Sequence, residues 1–163
     1  MANKILIIYY SRSSHTRRIA ELIQNAVGGE LASIRTKESY PADDDEVAEQ
    51  GHREVNAGVL PVLNDFPVDI SLYDTIFLGT PVWWYSISPA MRSFLRSHSF
   101  EGKTICPFIT NEGWPGHSLQ DFAAEIDKGF VKAGLNVCFS GDNLVTRQAQ
   151  VINWARNAVK DIS

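Results

Sequence analysis

No stretch of this chain approaches the ~18 consecutive apolar residues of a membrane-spanning helix. The strongest candidate, Ile5-Leu6-Ile7-Ile8-Tyr9-Tyr10, follows Lys4 and runs directly into Ser11 and Arg12. It is too short for the apolar region of a signal peptide and no small-residue cleavage site follows, so it reads as a buried first strand. Cysteine is scarce: Cys106 and Cys138 are the only two. They form no C-x-x-C, no metal-ligand spacing and no disulfide framework, and each lies in an apolar, strand-like run that suits a small buried hydrophobe. Positive charge is not in excess either. Lys and Arg number 15 against 19 Asp and Glu, a net charge of −4. With no basic stripe, nucleic-acid binding is not expected. There is no G-x-G-x-x-G and no Walker lysine, and no internal repeat, low-complexity segment or linker. What remains is a single domain over residues 1–163, expected to be cytoplasmic, with no membrane association and no metal. Its 163 residues, 44% hydrophobic and 21% charged, suffice for one core.

Strands and helices alternate along the chain. Residues 4–10 read as a strand buried on both faces. Residues 15–27 read as a helix with Ile19, Leu22, Ile23, Ala26 and Val27 on one side, stopped by Gly28-Gly29. A short second strand follows from Glu30 to Arg35. The acidic run Asp43-Asp44-Asp45-Glu46 fits a solvated loop and the start of a helix over 43–57. Its other reading is a docking patch for a basic partner. Val59 to Pro67 is irregular, and a third strand covers Thr75 to Gly79. Ser88 and Pro89 open the next helix as N-cap and first-turn proline, with Met91, Phe94 and Leu95 inward. The fourth strand, Thr104 to Ile109, contains Pro107, which is awkward because a central strand needs the missing N–H. Ser118 with Asp121 suggests a capping box for a helix carrying Phe122, Ile126 and Phe130 and ending at Gly134. The fifth strand is Leu135 to Phe139, and a last helix puts Val151, Trp154, Ala155, Ala158, Val159 and Ile162 on one face. Five strands alternating with helices imply an α/β domain, a parallel sheet covered on both sides.

In such sheets ligands bind beyond the carboxyl ends of the strands, where the strand order reverses. Three loops lie there. After the first strand comes Ser11-Arg12-Ser13-Ser14-His15-Thr16, in which hydroxyls and free backbone N–H groups converge on the positive end of a helix dipole. That is a phosphate-binding arrangement. After the third comes Thr80-Pro81-Val82-Trp83-Trp84-Tyr85-Ser86. Three consecutive aromatics in a loop suit a planar heteroaromatic ligand, and one of them is expected to pack inward as core. After the fourth comes Thr110-Asn111-Glu112-Gly113-Trp114-Pro115-Gly116-His117-Ser118, whose backbone polar groups could hydrogen-bond a ligand edge. Taken alone, this third loop reads more readily as an ordinary turn with the Ser118 cap.

These loops resemble the flavodoxin family, in particular its relatives with P-x-W-W after the third strand. Ser11, Ser13 and Thr16 match the hydroxyl positions of the family's phosphate loop T/S-x-T/S-G-x-T. Leu72 to Trp84 resembles the third strand with its flavin loop, and Thr110-Asn111-Glu112-Gly113 with Gly116 and Ser118 resembles the loop lining the flavin's pyrimidine edge. The likeness runs over essentially the whole chain and, with no long insertion in the fifth strand, suggests a short-chain member. It implies a flavodoxin-like three-layer sandwich, a five-stranded parallel sheet in the order 2-1-3-4-5. It also implies bound FMN and an electron carrier between redox protein partners, a reductase and an acceptor, as a monomer or weak homodimer. Ser11, Ser13 and Thr16 would bond the phosphate with N–H groups from Arg12 through Thr16. Trp83, or else Trp84 or Tyr85, would lie on the isoalloxazine, with Trp114 on its other face. Thr80, Pro81, Val82, Asn111, Glu112, Gly113 and Gly116 complete the expected cofactor site. No catalytic residue is implied.

The chain departs from the family pattern at Ser14, where glycine is usual, and at His15, where asparagine is common. A left-handed Ser14 would cost about 1 kcal/mol relative to glycine, offset if its hydroxyl bonds phosphate. His15 is read as packing on the helix, and Arg12 as either a phosphate partner or a solvent-facing side chain. The loop from Pro81 to Ser86 holds no glycine at the position where flavodoxins flip a carbonyl toward the flavin. A weaker neutral semiquinone is expected for that reason, and the modest net charge weakens long-range steering toward a basic reductase. The competing reading is an FMN-dependent NAD(P)H:quinone or small-molecule reductase on the same fold. A non-flavin receiver domain is disfavoured, because Thr80 stands where a phosphoacceptor Asp would be needed and no Lys lies near Asn143.

Overall fold

The alternation of side chains along the first strand sorts the whole domain into layers. In the computed structural model, which describes residues 3–41, 43–58 and 60–160, β1 spans Ile5–Tyr9. Leu6 and Ile8 enter one core with Met91, Phe94 and Phe122, while Ile7 enters the other with Ile19, Ile23, Val151 and Ala155. Both faces of the strand are therefore buried, and its sequence is apolar throughout. The second core belongs to helices α1 (His15–Val27) and α5 (Gln148–Lys160). The first belongs to α3 (Pro89–Arg96) and α4 (Ser118–Glu125). A further helix, α2 (Asp44–Ala57), buries only Val47 and Gly51.

The remaining strands are β2 (Glu30–Ser33), β3 (Thr75–Trp83), β4 (Ser86–Ile87), β5 (Thr104–Asn111), β6 (Phe130–Val131), β7 (Leu135–Ser140) and β8 (Asn143–Leu144). The sheet runs β2-β1-β3-β5-β7-β8, with β4 on β3 and β6 on β5. The five long strands are parallel and stand in the expected 2-1-3-4-5 order. Sequence reasoning missed three two-residue strands. β4 and β8 fold back antiparallel on their neighbours, and β6 adds parallel to the start of β5. The order reverses between β1 and β3, so the crevice beyond their carboxyl ends is where a ligand belongs.

Several local expectations are corrected. β3 continues four residues past Gly79, so Thr80 to Trp83 is strand, and the aromatic loop shrinks to the two-residue turn Trp84-Tyr85. The helix expected to reach Gly134 stops at Glu125. Phe130, which continues its apolar spacing, instead lies in β6 and is exposed. Lys128 at φ 63 breaks the helical path. Ser118 is not a cap: it is already helical and its hydroxyl donates to Pro115 O at 2.6 Å, while His117 holds the N-cap position. Pro107 sits in β5 in register with Leu78 of β3. On its other side the ladder is interrupted, since β6 pairs with Thr104 and Ile105 and β7 only from Phe108 onward. The proline falls in that gap, with Gly134 against it; a Cβ there would lie 3.4 Å from Pro107 Cγ.

Other expectations match. Asp43 caps α2 by accepting from Glu46 N at 3.0 Å, and Ser88 caps α3 through Met91 N at 3.2 Å. Cys106 is fully buried in the second core, which pushes its thiol up to about 12, and Cys138 is partly buried. The irregular segment after α2 is tied to the sheet edge by a bridge between Thr36 and Leu63. Ile162 and Val59 lie outside the described residues. No helix among them is long and apolar enough to cross a membrane.

Candidate functional site

The loop between β1 and α1 is shaped by one residue. Ser14, the N-cap of α1, is left-handed at φ 75 and ψ −7 and makes no side-chain cap bond. N-caps normally take an extended conformation. The left-handed turn instead swings successive amides toward one point, the concave arrangement that binds anions. The first intrahelical bond is Arg18 N to Ser14 O at 2.9 Å, and Arg17 N donates to Ser11 Oγ at 3.3 Å. The amides of His15 and Thr16 are thus left without an intrahelical acceptor.

The side chains of this loop divide. Ser13, Arg12 and His15 face a cleft of about 590 Å³, a size typical of small-molecule sites. Thr16 does not: it is buried, and its hydroxyl meets that of Thr110 at 2.8 Å, tying α1 to the end of β5. Ser11 is engaged with Arg17. His15 stacks on Phe139 of β7 at 4.2 Å and 3°, with its Nε2 3.4 Å from Asp142. Arg12 reaches Asp44 at the start of α2, 2.9 Å away, and so bridges the cleft mouth.

The opposite wall is aromatic. Pro81, Val82, Trp83, Trp84 and Tyr85 all line the cleft. Trp83 is the ring that packs inward. It stands edge-on to Tyr10 (6.0 Å, 75°) and Tyr40 (4.9 Å, 83°), over Gly51, where a Cβ would approach to 3.1 Å. Trp84 is bound to α2: its indole N–H donates to Ala48 O at 2.7 Å and its ring stacks on His52 at 4.0 Å. Trp84 and Tyr85 have φ of 50 and 65, and Trp83 pairs with Ser86 across them. Two central residues with positive φ in a two-residue hairpin define a type I′ turn, which ordinarily takes Asn-Gly. Thr80 lies below the cleft, fully buried and bonded to Ser88 Oγ at 2.8 Å.

The third loop braces that turn. His117 N donates to Tyr85 O at 2.9 Å. Gly116 lies so close that a Cβ would fall 2.4 Å from Tyr85 Cβ, so only glycine fits its φ of 56. Asn111, Glu112 and Trp114 line the cleft. Asn111 Oδ1 accepts from Gly113 N at 2.9 Å, and Glu112 accepts from Gly141 N at 3.1 Å. Trp114 is 71% exposed and Tyr85 51%. Gly113 and Gly116 shape the loop rather than line the cleft. Behind it, Asp121 joins His117 (2.5 Å) and Ser86. Arg92 and Arg96 hold Glu125 well below the ordinary carboxylate range, Arg96 foremost.

Sequence reasoning missed α2 as a wall. Asp44, Val47, Ala48 and Gly51 line the cleft, as does Thr110. The small residues at 48 and 51, one helical turn apart, were the available signal.

A nucleotide-sized crevice at a topological switch point, with an amide-lined turn on one side and rings on the other, is the arrangement of the doubly wound class. The family model for flavodoxin matches residues 4–157, and the chain belongs to the flavodoxin family. A Bacteroides eggerthii protein named as a flavoprotein superposes with a TM-score of 0.77 at 28% identity, over 97% of this chain and 99% of that one. A Lactobacillus acidophilus flavoprotein in complex with FMN gives a TM-score of 0.71 at 24% identity, over 83% and 93%. Among curated proteins, an NAD(P)H dehydrogenase (quinone) of Cupriavidus metallidurans is 34% identical over 96 residues, 57% of this chain and 45% of that protein. The chain therefore spans about half the length of the curated relatives it matches.

Proposed function

We propose that this chain binds FMN and passes electrons between redox partner proteins. The observation that carries the reading is the left-handed turn at Ser14 opening into a cleft walled by Trp83, Trp84, Tyr85 and Trp114. These residues fit the cofactor. The amides of His15 and Thr16 and the hydroxyl of Ser13 would take the phosphate dianion, with Arg12 adding positive charge. Tyr85 and Trp114, the two exposed rings at the mouth, are available to flank the tricyclic ring. Asn111 and the backbone of its loop would meet its polar edge. FMN, when bound, supplies the redox chemistry. The protein's part is to hold the phosphate, cover the ring faces and leave an edge open to a partner.

A second reading is favoured by the names of the curated relatives. On it, the chain is an FMN-dependent reductase that takes hydride from NAD(P)H and delivers it to a quinone or a similar small molecule. Two measurements settle the choice. The visible spectrum of purified protein titrated with FMN tests the cofactor, and a colourless protein that takes up no FMN removes both readings. NAD(P)H oxidation by the FMN-loaded protein with a quinone present separates them, since a carrier alone leaves NAD(P)H unoxidised without a partner reductase.

A further inference from the structure

A second cavity, of about 630 Å³, shares no lining residue with the first. One wall is a short ribbon. Past β2 the chain runs on through Ile34 and Arg35, and the segment 60–67 comes back alongside it. Lys37 N donates to Val62 O at 2.9 Å and Asn64 N to Arg35 O at 2.8 Å, on either side of the bridge between Thr36 and Leu63. Ser93 Oγ of α3 donates to Pro61 O at 2.8 Å and pins the ribbon to that helix. The hollow between ribbon and helix presents apolar surface. Phe66 stands edge-on to the buried Phe94 at 4.9 Å and 64°, and Leu63 lies beside them. Val62, which also lines the cavity, is 66% exposed, so this surface is open to solvent.

The polar groups around it are unpaired. Arg35 and Asp65 both line the cavity, and neither side chain has a hydrogen bond or ion pair among the described residues, with the other or with anything else. His98 lines it as well, its ring stacked on Phe94 at 4.1 Å and 26°. Its Nδ1 lies 2.8 Å from Phe94 O. A carbonyl only accepts, so the neutral ring carries its proton on Nδ1 and Nε2 is left as an acceptor. These charges select a class of ligand. A bare carboxylate that meets Arg35 also faces Asp65, and a bare ammonium that meets Asp65 also faces Arg35. A molecule that carries both charges on an apolar body satisfies the two side chains and covers the rings. We propose that this cavity binds a free α-amino acid with a large apolar side chain. Its carboxylate pairs with Arg35, its ammonium with Asp65 and His98 Nε2, and its side chain lies against Phe66 and Leu63.

The probe is L-phenylalanine, titrated into the isotope-labelled full chain with and without saturating FMN and followed by amide chemical shifts. Saturable shifts are expected at Arg35, Leu63 to Phe66 and His98, and not at Ser13 or Trp114 of the FMN cleft. L-phenylalaninamide, which lacks the carboxylate, and N-acetyl-L-phenylalanine, which lacks the ammonium, should each bind roughly tenfold or more weakly. Arg35→Gln and Asp65→Asn should weaken L-phenylalanine to a similar degree. Both side chains are exposed, and unchanged shifts elsewhere show that the variants fold. The proposal is overturned by the absence of saturable shifts at these amides, by equal binding of the three compounds, or by an affinity that both variants leave unchanged. Shifts of the same amides with protein concentration, before any ligand is added, would give the surface to a second copy of the chain and overturn it too. A failed FMN titration removes the earlier reading and leaves this one standing.

Discussion

Two turns at the cleft place non-glycine residues in the left-handed region, and they do so in opposite circumstances. At Ser14 the strained residue is unsupported: its side chain caps nothing and the following amides lack intrahelical partners. At Trp84 and Tyr85 every strained unit is braced, by Ala48 O and His52 on one side and by His117 N and Gly116 on the other. Strain of this kind costs of order 1–3 kcal/mol per residue and persists only where something else fixes it. In the aromatic turn the protein itself supplies the constraint, so its shape does not depend on a ligand. At Ser14 the side chain makes no such brace, and on the proposed function the phosphate would supply it. The first is a braced wall and the second is the turn that the proposed function gives to the phosphate.

The comparison breaks most severely at Ser13. Ser13→Asp places a carboxylate where the amides converge, and like charges in such a site cost several kcal/mol. FMN affinity should fall by roughly a hundredfold or more, while riboflavin, which lacks the phosphate, should lose far less. Calorimetric titration with both ligands measures the difference. Equal losses for the two would mean that the loop does not hold the phosphate.

The braced turn is sharpened by Trp84→Gly. Reversing the central peptide of a type I′ turn gives a type II′ turn, which needs glycine at the first central position. Trp84 blocks that reversal, and a wild-type protein should therefore build up little neutral semiquinone on reduction. Glycine at 84 allows the reversal and removes two of the braces, so the semiquinone yield should rise. A reductive titration followed by absorbance reads both. A large blue yield in the wild type would show that this backbone does not control the flavin.

The same contrast explains what the sequence disclosed. The five parallel strands and their order followed from apolar runs separated by helical spacing, because burial on both faces writes itself into consecutive residues. The turn between β1 and α1 was legible for a related reason: Ser11 to Thr16 are contiguous, so the hydroxyl-rich strand-to-helix turn that the proposed function gives to the phosphate stands in one short run of sequence. The aromatic wall was less so. Three adjacent rings announced a ligand, but which ring turned inward depended on Tyr10, Tyr40 and Gly51, each far away in the chain. Likewise, α2 was recognised as a helix but not as part of the cleft, since its weak apolar pattern records few core contacts. The overextended fourth helix came from a helical spacing, Phe122-Ile126-Phe130, that a left-handed Lys128 interrupts.

A smaller effect is expected at the link between the two regions. Arg12 of the phosphate turn pairs with Asp44 of α2, whose carboxylate is 89% exposed. Such a pair is worth at most about 1 kcal/mol, so Asp44→Asn should leave stability nearly unchanged. It does remove an anion competing with phosphate for Arg12. FMN affinity should rise by roughly two- to fivefold, and riboflavin affinity should stay the same. An unchanged FMN affinity would place Arg12 outside the phosphate's reach.

The smallest change tests the open turn alone. Ser14 sits at φ 75 and its side chain makes no cap hydrogen bond among the described residues, so glycine there loses no cap and relieves about 1 kcal/mol of backbone strain. Part of that gain is offset because glycine also loosens the unfolded chain. A net gain of about 0.5 kcal/mol corresponds to a rise of roughly 1–2 °C in the melting temperature of a domain this size. The informative result comes when FMN is added. If the Ser14 hydroxyl bonds the phosphate, Ser14→Gly binds FMN more weakly than the wild type despite being the more stable apoprotein. If only the amides hold the phosphate, affinity is equal or better, because the turn reaches its left-handed shape without strain. Melting curves with and without saturating FMN separate these outcomes: in the first the stabilisation by ligand shrinks in the variant, and in the second it does not.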